Sequence, residues 1–135
     1  MPVPERTDEQ FSIALESIQG KRRAELTVAA ATALLDRFAD QRDPVARLRL
    51  THELIRRNFA PDVRLDLGSA VLGPDTPEPA ETTFRAEITG GVPATLSAGY
   101  RVPDPAGRTA EEWRNALTLL AGIAALGAGG RLTCP

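Results

Sequence analysis

Two runs decide the fold: Thr83-Phe84-Arg85-Ala86-Glu87-Ile88-Thr89-Gly90-Gly91 and, just after it, Ala94-Thr95-Leu96-Ser97-Ala98-Gly99-Tyr100-Arg101-Val102. In the first, Phe84, Ala86 and Ile88 alternate with Arg85, Glu87 and Thr89. In the second, Leu96, Ala98, Tyr100 and Val102 alternate with Thr95, Ser97, Gly99 and Arg101. A period of two is the mark of a half-buried strand, and Gly90-Gly91 between the runs suits a hairpin turn. Upstream, Val63, Leu65, Leu67 and Val71 alternate with Asp62, Arg64, Asp66 and Gly68, which predicts a third strand. Short connections imply an antiparallel meander of three strands. Gly73 to Glu81, carrying Pro74, Pro77 and Pro79, is a loop and by composition the mobile one.

Helices flank these strands. Thr7-Asp8-Glu9-Gln10 is a capping-box pattern ahead of Phe11, Ile13, Ala14 and Leu15, and predicts a helix over about 8–18, interrupted or bent at Gly20. Lys21 to Ala39 has no Pro or Gly and predicts a second helix. Asp43-Pro44 is an N-cap followed by proline at the first helical position, so a third helix runs to about Asn58. Its Val45, Leu48, His52, Ile55 and Phe59 share one apolar stripe. Pro103 to Arg108 is a turn, and Thr109-Ala110-Glu111-Glu112 caps a last helix reaching about Leu126, stopped by the glycines at 127, 129 and 130. The expected fold class is therefore α+β: N-terminal helices, a three-stranded antiparallel meander covered on one face by helices, and a long C-terminal helix. Residues 1–20 read as a helical extension, 21–130 as a single domain and 131–135 as a tail.

Composition narrows the function. One His, one Cys and one Met cannot make a Cys/His zinc site, a disulfide within the chain or a Met-rich surface, so no metal and no cofactor is expected. Sixteen basic against eighteen acidic residues leave no excess for a nucleic-acid footprint, although Arg outnumbers the single lysine, Lys21, fifteen to one. The first residues lack the basic start and apolar run of a signal peptide, and no window is apolar enough to span a membrane. A cytoplasmic location is the expectation. Cys134, one residue from the end, has no partner in the chain.

From Ala29 to Leu126 the chain resembles a shortened GAF domain, of the GAF/PAS group of sensory modules. The likeness rests on Leu34-Leu35-Asp36-Arg37-Phe38-Ala39-Asp40, the Asp43-Pro44 break and a helix leading into the first strand. It continues in the order Ala98 to Val102, Pro105 to Arg108, Thr109 to Glu112 and Leu117 to Leu126. Such domains usually carry five or six strands, of which three are legible here. The resemblance implies a regulatory scaffold that dimerises through terminal helices.

No catalytic constellation stands out. His52-Glu53 lacks the second histidine of a zinc protease motif, since Arg56 occupies that position, and Ser69 and Ser97 have no Gly-x-Ser-x-Gly context. His52, inside an apolar stripe, reads as a core or interface histidine, with ligand contact as the other use. The polar side of the strands gathers Arg64, Asp66, Arg85, Glu87 and Arg101. Interleaved signs there suit a solvated ion-pair ladder. The functional alternative is a small anionic ligand held by Arg64, Arg85 and Arg101 on this face, framed by the 73–81 loop. The last helix is apolar over more of its girth than one sheet can cover, and the second has two stripes. A homodimer interface over Leu26, Ala30, Leu119, Ile123 and Leu126 resolves that surplus. The leading expectation is a non-catalytic, dimeric regulatory or interaction module that takes a small anionic ligand or a partner protein. The alternative is a small enzyme or accessory subunit with its site at the Arg-lined sheet face or in a dimer-interface pocket near His52. Nucleic acid is the least favoured partner, and no membrane is expected.

Overall fold

A computed structural model describes residues 4–75 and 78–134, with the side chains of 4–8 outside the description. The chain forms α1 (Pro4–Asp40), α2 (Pro44–Asn58), β1 (Arg64–Asp66), β2 (Val71–Leu72), β3 (Thr82–Thr89), β4 (Ala94–Tyr100), α3 (Ala110–Gly127) and β5 (Arg131–Thr133). It is an α+β fold: a long N-terminal helix, a second helix, a five-stranded antiparallel sheet and a C-terminal helix.

The first two expected helices are one. A glycine inside a helix costs only about 1 kcal/mol relative to alanine, too little to stop a run of strong helix formers on both sides of Gly20. The helix begins at Pro4, ahead of the start expected near residue 8, so Thr7 falls within it and not at its cap; its side chain lies outside the described residues. The other two caps form as read: the Asp43 carboxylate accepts the Ala46 N–H at 2.8 Å, and Thr109 and Glu112 exchange bonds of 3.1 Å in a full capping box.

The strands are five, in the order β2-β1-β4-β3-β5, and the meander is corrected with them. β3 and β4 make the hairpin through Gly90, whose φ is 91°, but β1 lies against β4 rather than β3. The run from Asp62 to Val71 folds back on itself at Gly68 (φ 82°), and this supplies β2 on the edge. Between β2 and β3 the described parts of the crossing segment, 73–75 and 78–81, lie on the open face of the sheet, within reach of Arg64 and Arg101. The expected C-terminal tail contributes β5, paired with β3 by Ile88↔Leu132. A Cβ on Gly91 would strike the Ala128 carbonyl and one on Gly130 the Thr89 carbonyl, so both positions need glycine for the chain to turn back beside the hairpin.

Helices cover one face. α3 lies on β3, β4 and β5, and α2 on β1, over a core that includes Leu48, Ile55, Leu65, Phe84, Ile88, Leu96, Trp113, Leu117 and Leu120. The C-terminal half of α1 forms an outer layer on α2 and α3, burying Ala31, Leu34 and Phe38. It runs in the same direction as α3. Arg23 meets Glu112 at 2.9 Å, and fifteen residues further along both helices Phe38 lies on Gly127, where a Cβ would come within 2.5 Å of the ring. Arg47 of α2 closes that end by donating to the carbonyls of Phe38 (2.8 Å), which also accepts the Gln41 N–H, of Gln41 and of Gly127 (3.3 Å), at the ends of two helices.

At the other end, the hydrogen bond from Arg23 holds the Glu112 carboxyl below its ordinary 4.5, burial opposing and the Thr109 amide assisting. A depressed carboxyl contributes stability above its unfolded value, and that contribution is lost as pH falls through the folded one. Glu112→Gln keeps the amide-accepting oxygen and removes the charge. Thermal melts should therefore place the variant below the parent at neutral pH, with the gap closing as the pH is lowered through and beneath the ordinary carboxyl range.

Candidate functional site

The described parts of the crossing segment border a groove of about 440 Å³ on the open sheet face, lined by Asp62, Arg64, Asp66, Pro74, Glu78, Thr83, Arg85, Thr95, Ser97 and Gly99 among others. Strand register sets its floor. Ser97 pairs with Arg64 on one side and Arg85 on the other, and Thr95 pairs with Asp66 and Glu87. Two arginines thus flank one hydroxyl, and one step along the strands two carboxylates flank the next. Asp66 and Glu87 share a row but stand on either side of β4, two strand spacings or roughly 10 Å apart, too far to share a proton.

The arginines are not equivalent. Arg64 donates to the carbonyls of Asp75 (3.0 Å) and Pro74, and Arg101 to those of Pro79 (3.1 Å) and Glu78 (2.9 Å), so the two pin the segment over the sheet. Arg101 also makes an ion pair with Asp62 at 2.8 Å and does not line the groove. Gly99 permits this closeness, for a Cβ there would lie 2.7 Å from that of Ala80. Among the described residues Arg85 is bound only to Glu87, at 3.4 Å and in the open, which leaves it the guanidinium most available to a ligand. Charges around the groove are mixed, with Asp62, Asp66 and Glu78 beside Arg64 and Arg85.

His52 lies elsewhere. It is buried on α2, on the helical side of the sheet, with Nε2 2.9 Å from the Val63 carbonyl. A carbonyl only accepts, so Nε2 carries the proton. The ring ties α2 to the entry of β1. His52→Ala should cost about 1–3 kcal/mol in urea unfolding by orphaning that carbonyl, and His52→Gln should recover part of it.

Of the residues expected at a dimer interface, Ala30 and Ile123 pack against the core, within the layer α1 makes with α3, while Leu26, Leu119 and Leu126 stay exposed. The larger unburied surface lies further out. By the α1/α3 register, α3 begins level with residue 21 of α1, so the helix before that point has no neighbour among the described residues. Every residue from Glu9 to Gln19 is exposed, including Phe11 at 69%, Ile13 at 70% and Ile18 at 60%. In sequence this stretch reads as a helical extension, and it leaves Phe11, Ile13, Leu15 and Ile18 in water.

No family model, curated protein or solved structure matches this chain. Among the described residues no helix is long and apolar enough to cross a membrane, and no three His, Cys, Asp or Glu side chains cluster to hold a metal ion.

Proposed function

We propose that the protein is a non-catalytic, GAF-like interaction module whose working surface is the outer face of α1 and which functions as a homodimer. The observation that carries this reading is the free N-terminal length of α1. A lone helix of this length is marginal in water, and the exposed Phe11, Leu15 and Ile18, which share one side of it, mark a surface meant to be covered. Five antiparallel strands with helices on one face agree with the scaffold the resemblance implies. Light scattering at micromolar concentration tests it: the expected mass is twice 14.4 kDa, and a monomeric mass overturns the reading.

A second reading is favoured by the floor of the groove, where Arg64 and Arg85 flank Ser97: a small carboxylate or phosphate compound as a regulatory ligand. Thermal shifts across a panel of such compounds, lost in Arg85→Ala, would support it; no shift for any of them would remove it.

A further inference from the structure

On α1, Phe11, Ala14, Ile18, Lys21, Glu25, Val28, Thr32 and Leu35 follow one another at alternating steps of three and four residues, the spacing of a coiled-coil seam. All eight are exposed, on the side away from α2 and α3. The order along this seam is self-complementary when reversed about residue 23. A second copy laid antiparallel sets Phe11 against Leu35, Ala14 against Thr32, Ile18 against Val28 and Lys21 against Glu25, then repeats each pair beyond the axis.

We infer that two chains pair through antiparallel α1 helices about a two-fold axis at the level of Arg23, the free arm of each lying along the outer face of α1 in the other. This rests on the homodimer reading and names its surface and register. Charge selects the direction. Parallel pairing would set Lys21 on Lys21 and Glu25 on Glu25, whereas the antiparallel register makes two opposite-charge pairs at the centre. Outside them it matches size with size: Ile18 with Val28 and Phe11 with Leu35 are large apolar pairs, and between them the methyl of Ala14 faces the small, half-apolar side chain of Thr32. Arg22 meets its own copy beside the axis, with the Glu25 carboxylates of both chains within a turn to offset it. The geometry is open to this partner, because the body of each protomer sits behind its own α1 and the seam faces outward. Each arm finds the neighbour that α3 stops short of providing.

Distances between spin labels test the register in the full chain. Cys134 is exposed and is first replaced in Cys134→Ser; single labels are then placed at Ser12→Cys and Gln19→Cys, both exposed and off the seam. With a rise of 1.5 Å per residue and axes 8–10 Å apart, the antiparallel pair puts the two copies of position 12 roughly 35 Å apart and those of position 19 roughly 15 Å apart. Similar short distances at both positions mean parallel pairing and overturn the inference while the dimer stands. A monomeric mass overturns the inference and the reading together. Charge reversal gives an independent readout. Lys21→Glu and Glu25→Lys each put like charges in both central pairs and should weaken the dimer about tenfold or more, and the double variant Lys21→Glu/Glu25→Lys should recover it. If the double variant stays as weak as the singles, the central pairing is wrong and the inference falls.

Discussion

Asp104→Ala is expected to lower stability by about 3–5 kcal/mol, the range for breaking a buried ion pair from one side. The carboxylate and the Arg108 guanidinium stand 3.2 Å apart with side chains 2% and 4% exposed. Asp104 also accepts the N–H groups of Ala106 (2.9 Å) and Arg108 (3.0 Å), so it holds the turn that leads into α3. Arg108 stacks over Phe59 with its carbon 4.3 Å from the ring centroid, donates to the Asn58 carbonyl at 3.2 Å and has no partner for Nε among the described residues. Removing the carboxylate leaves a buried cation facing an aromatic ring and one carbonyl. Urea unfolding followed by far-UV circular dichroism measures the loss. Asp104→Asn/Arg108→Met, which removes both charges and keeps a turn acceptor, should lose less than Asp104→Ala alone. A single-variant loss under about 1 kcal/mol would show that water reaches the pair and that its burial is of little consequence.

That pair is not legible in the sequence, where Pro103 to Arg108 reads only as a turn. Asp and Arg four apart in a Pro/Gly segment look solvated, and nothing local says that the end of α2 will close over them. The same holds for Arg47, whose value lies in reaching the ends of two helices distant in sequence. By contrast, Asp43 and Thr109 are legible because an N-cap is satisfied within three residues of itself. The strand faces of β3 and β4 are legible for a related reason: alternation records which side meets helix and which meets water. It does not record which strand lies beside which, and so a meander sets β1 against the wrong neighbour. β5 is three residues long with one side chain turned inward, and it is held in place by close backbone approach around Gly91 and Gly130, which leaves no pattern to read.

For the candidate site, the residue types on the open face follow from alternation, and their grouping follows from register, which only the fold supplies. Arg64 and Arg85 share a row through Ser97. Arg101, chosen by the same alternation, is engaged by Asp62 and the crossing segment instead. His52 is legible as a core residue from its place in the apolar stripe. The seam on α1 is hidden because a break expected at Gly20 divides one eight-position repeat into two short helices, each too brief to show it.

The second large effect is at Trp113, fully buried in the first turns of α3. Trp113→Ala should cost about 3–5 kcal/mol, a large part of the 5–15 kcal/mol typical of a whole domain. Its ring sits edge-on to Phe84 at 6.5 Å and tilted on Tyr100 at 5.5 Å, joining α3 to β3 and β4, and its indole N–H donates to the Phe59 carbonyl at 3.1 Å. Trp113→Phe keeps most of the packing and orphans that carbonyl, so about 1–3 kcal/mol is expected. As Trp113 is the single tryptophan, circular dichroism rather than fluorescence must follow unfolding. The end of α2 ties this residue to Asp104: Arg108 holds the carbonyl of Asn58 and Trp113 that of Phe59, adjacent groups that an uncapped helix would leave bare. Once Asp104 is lost and Arg108 is free to shift, the Phe59 carbonyl can turn away from its indole partner. Trp113→Phe should then cost less in the Asp104→Ala background than in the parent, with a coupling of about 0.5–3 kcal/mol. Additivity within about 0.3–0.5 kcal/mol would instead mean that the two side chains cap α2 independently and that the turn before α3 is not part of one unit with it.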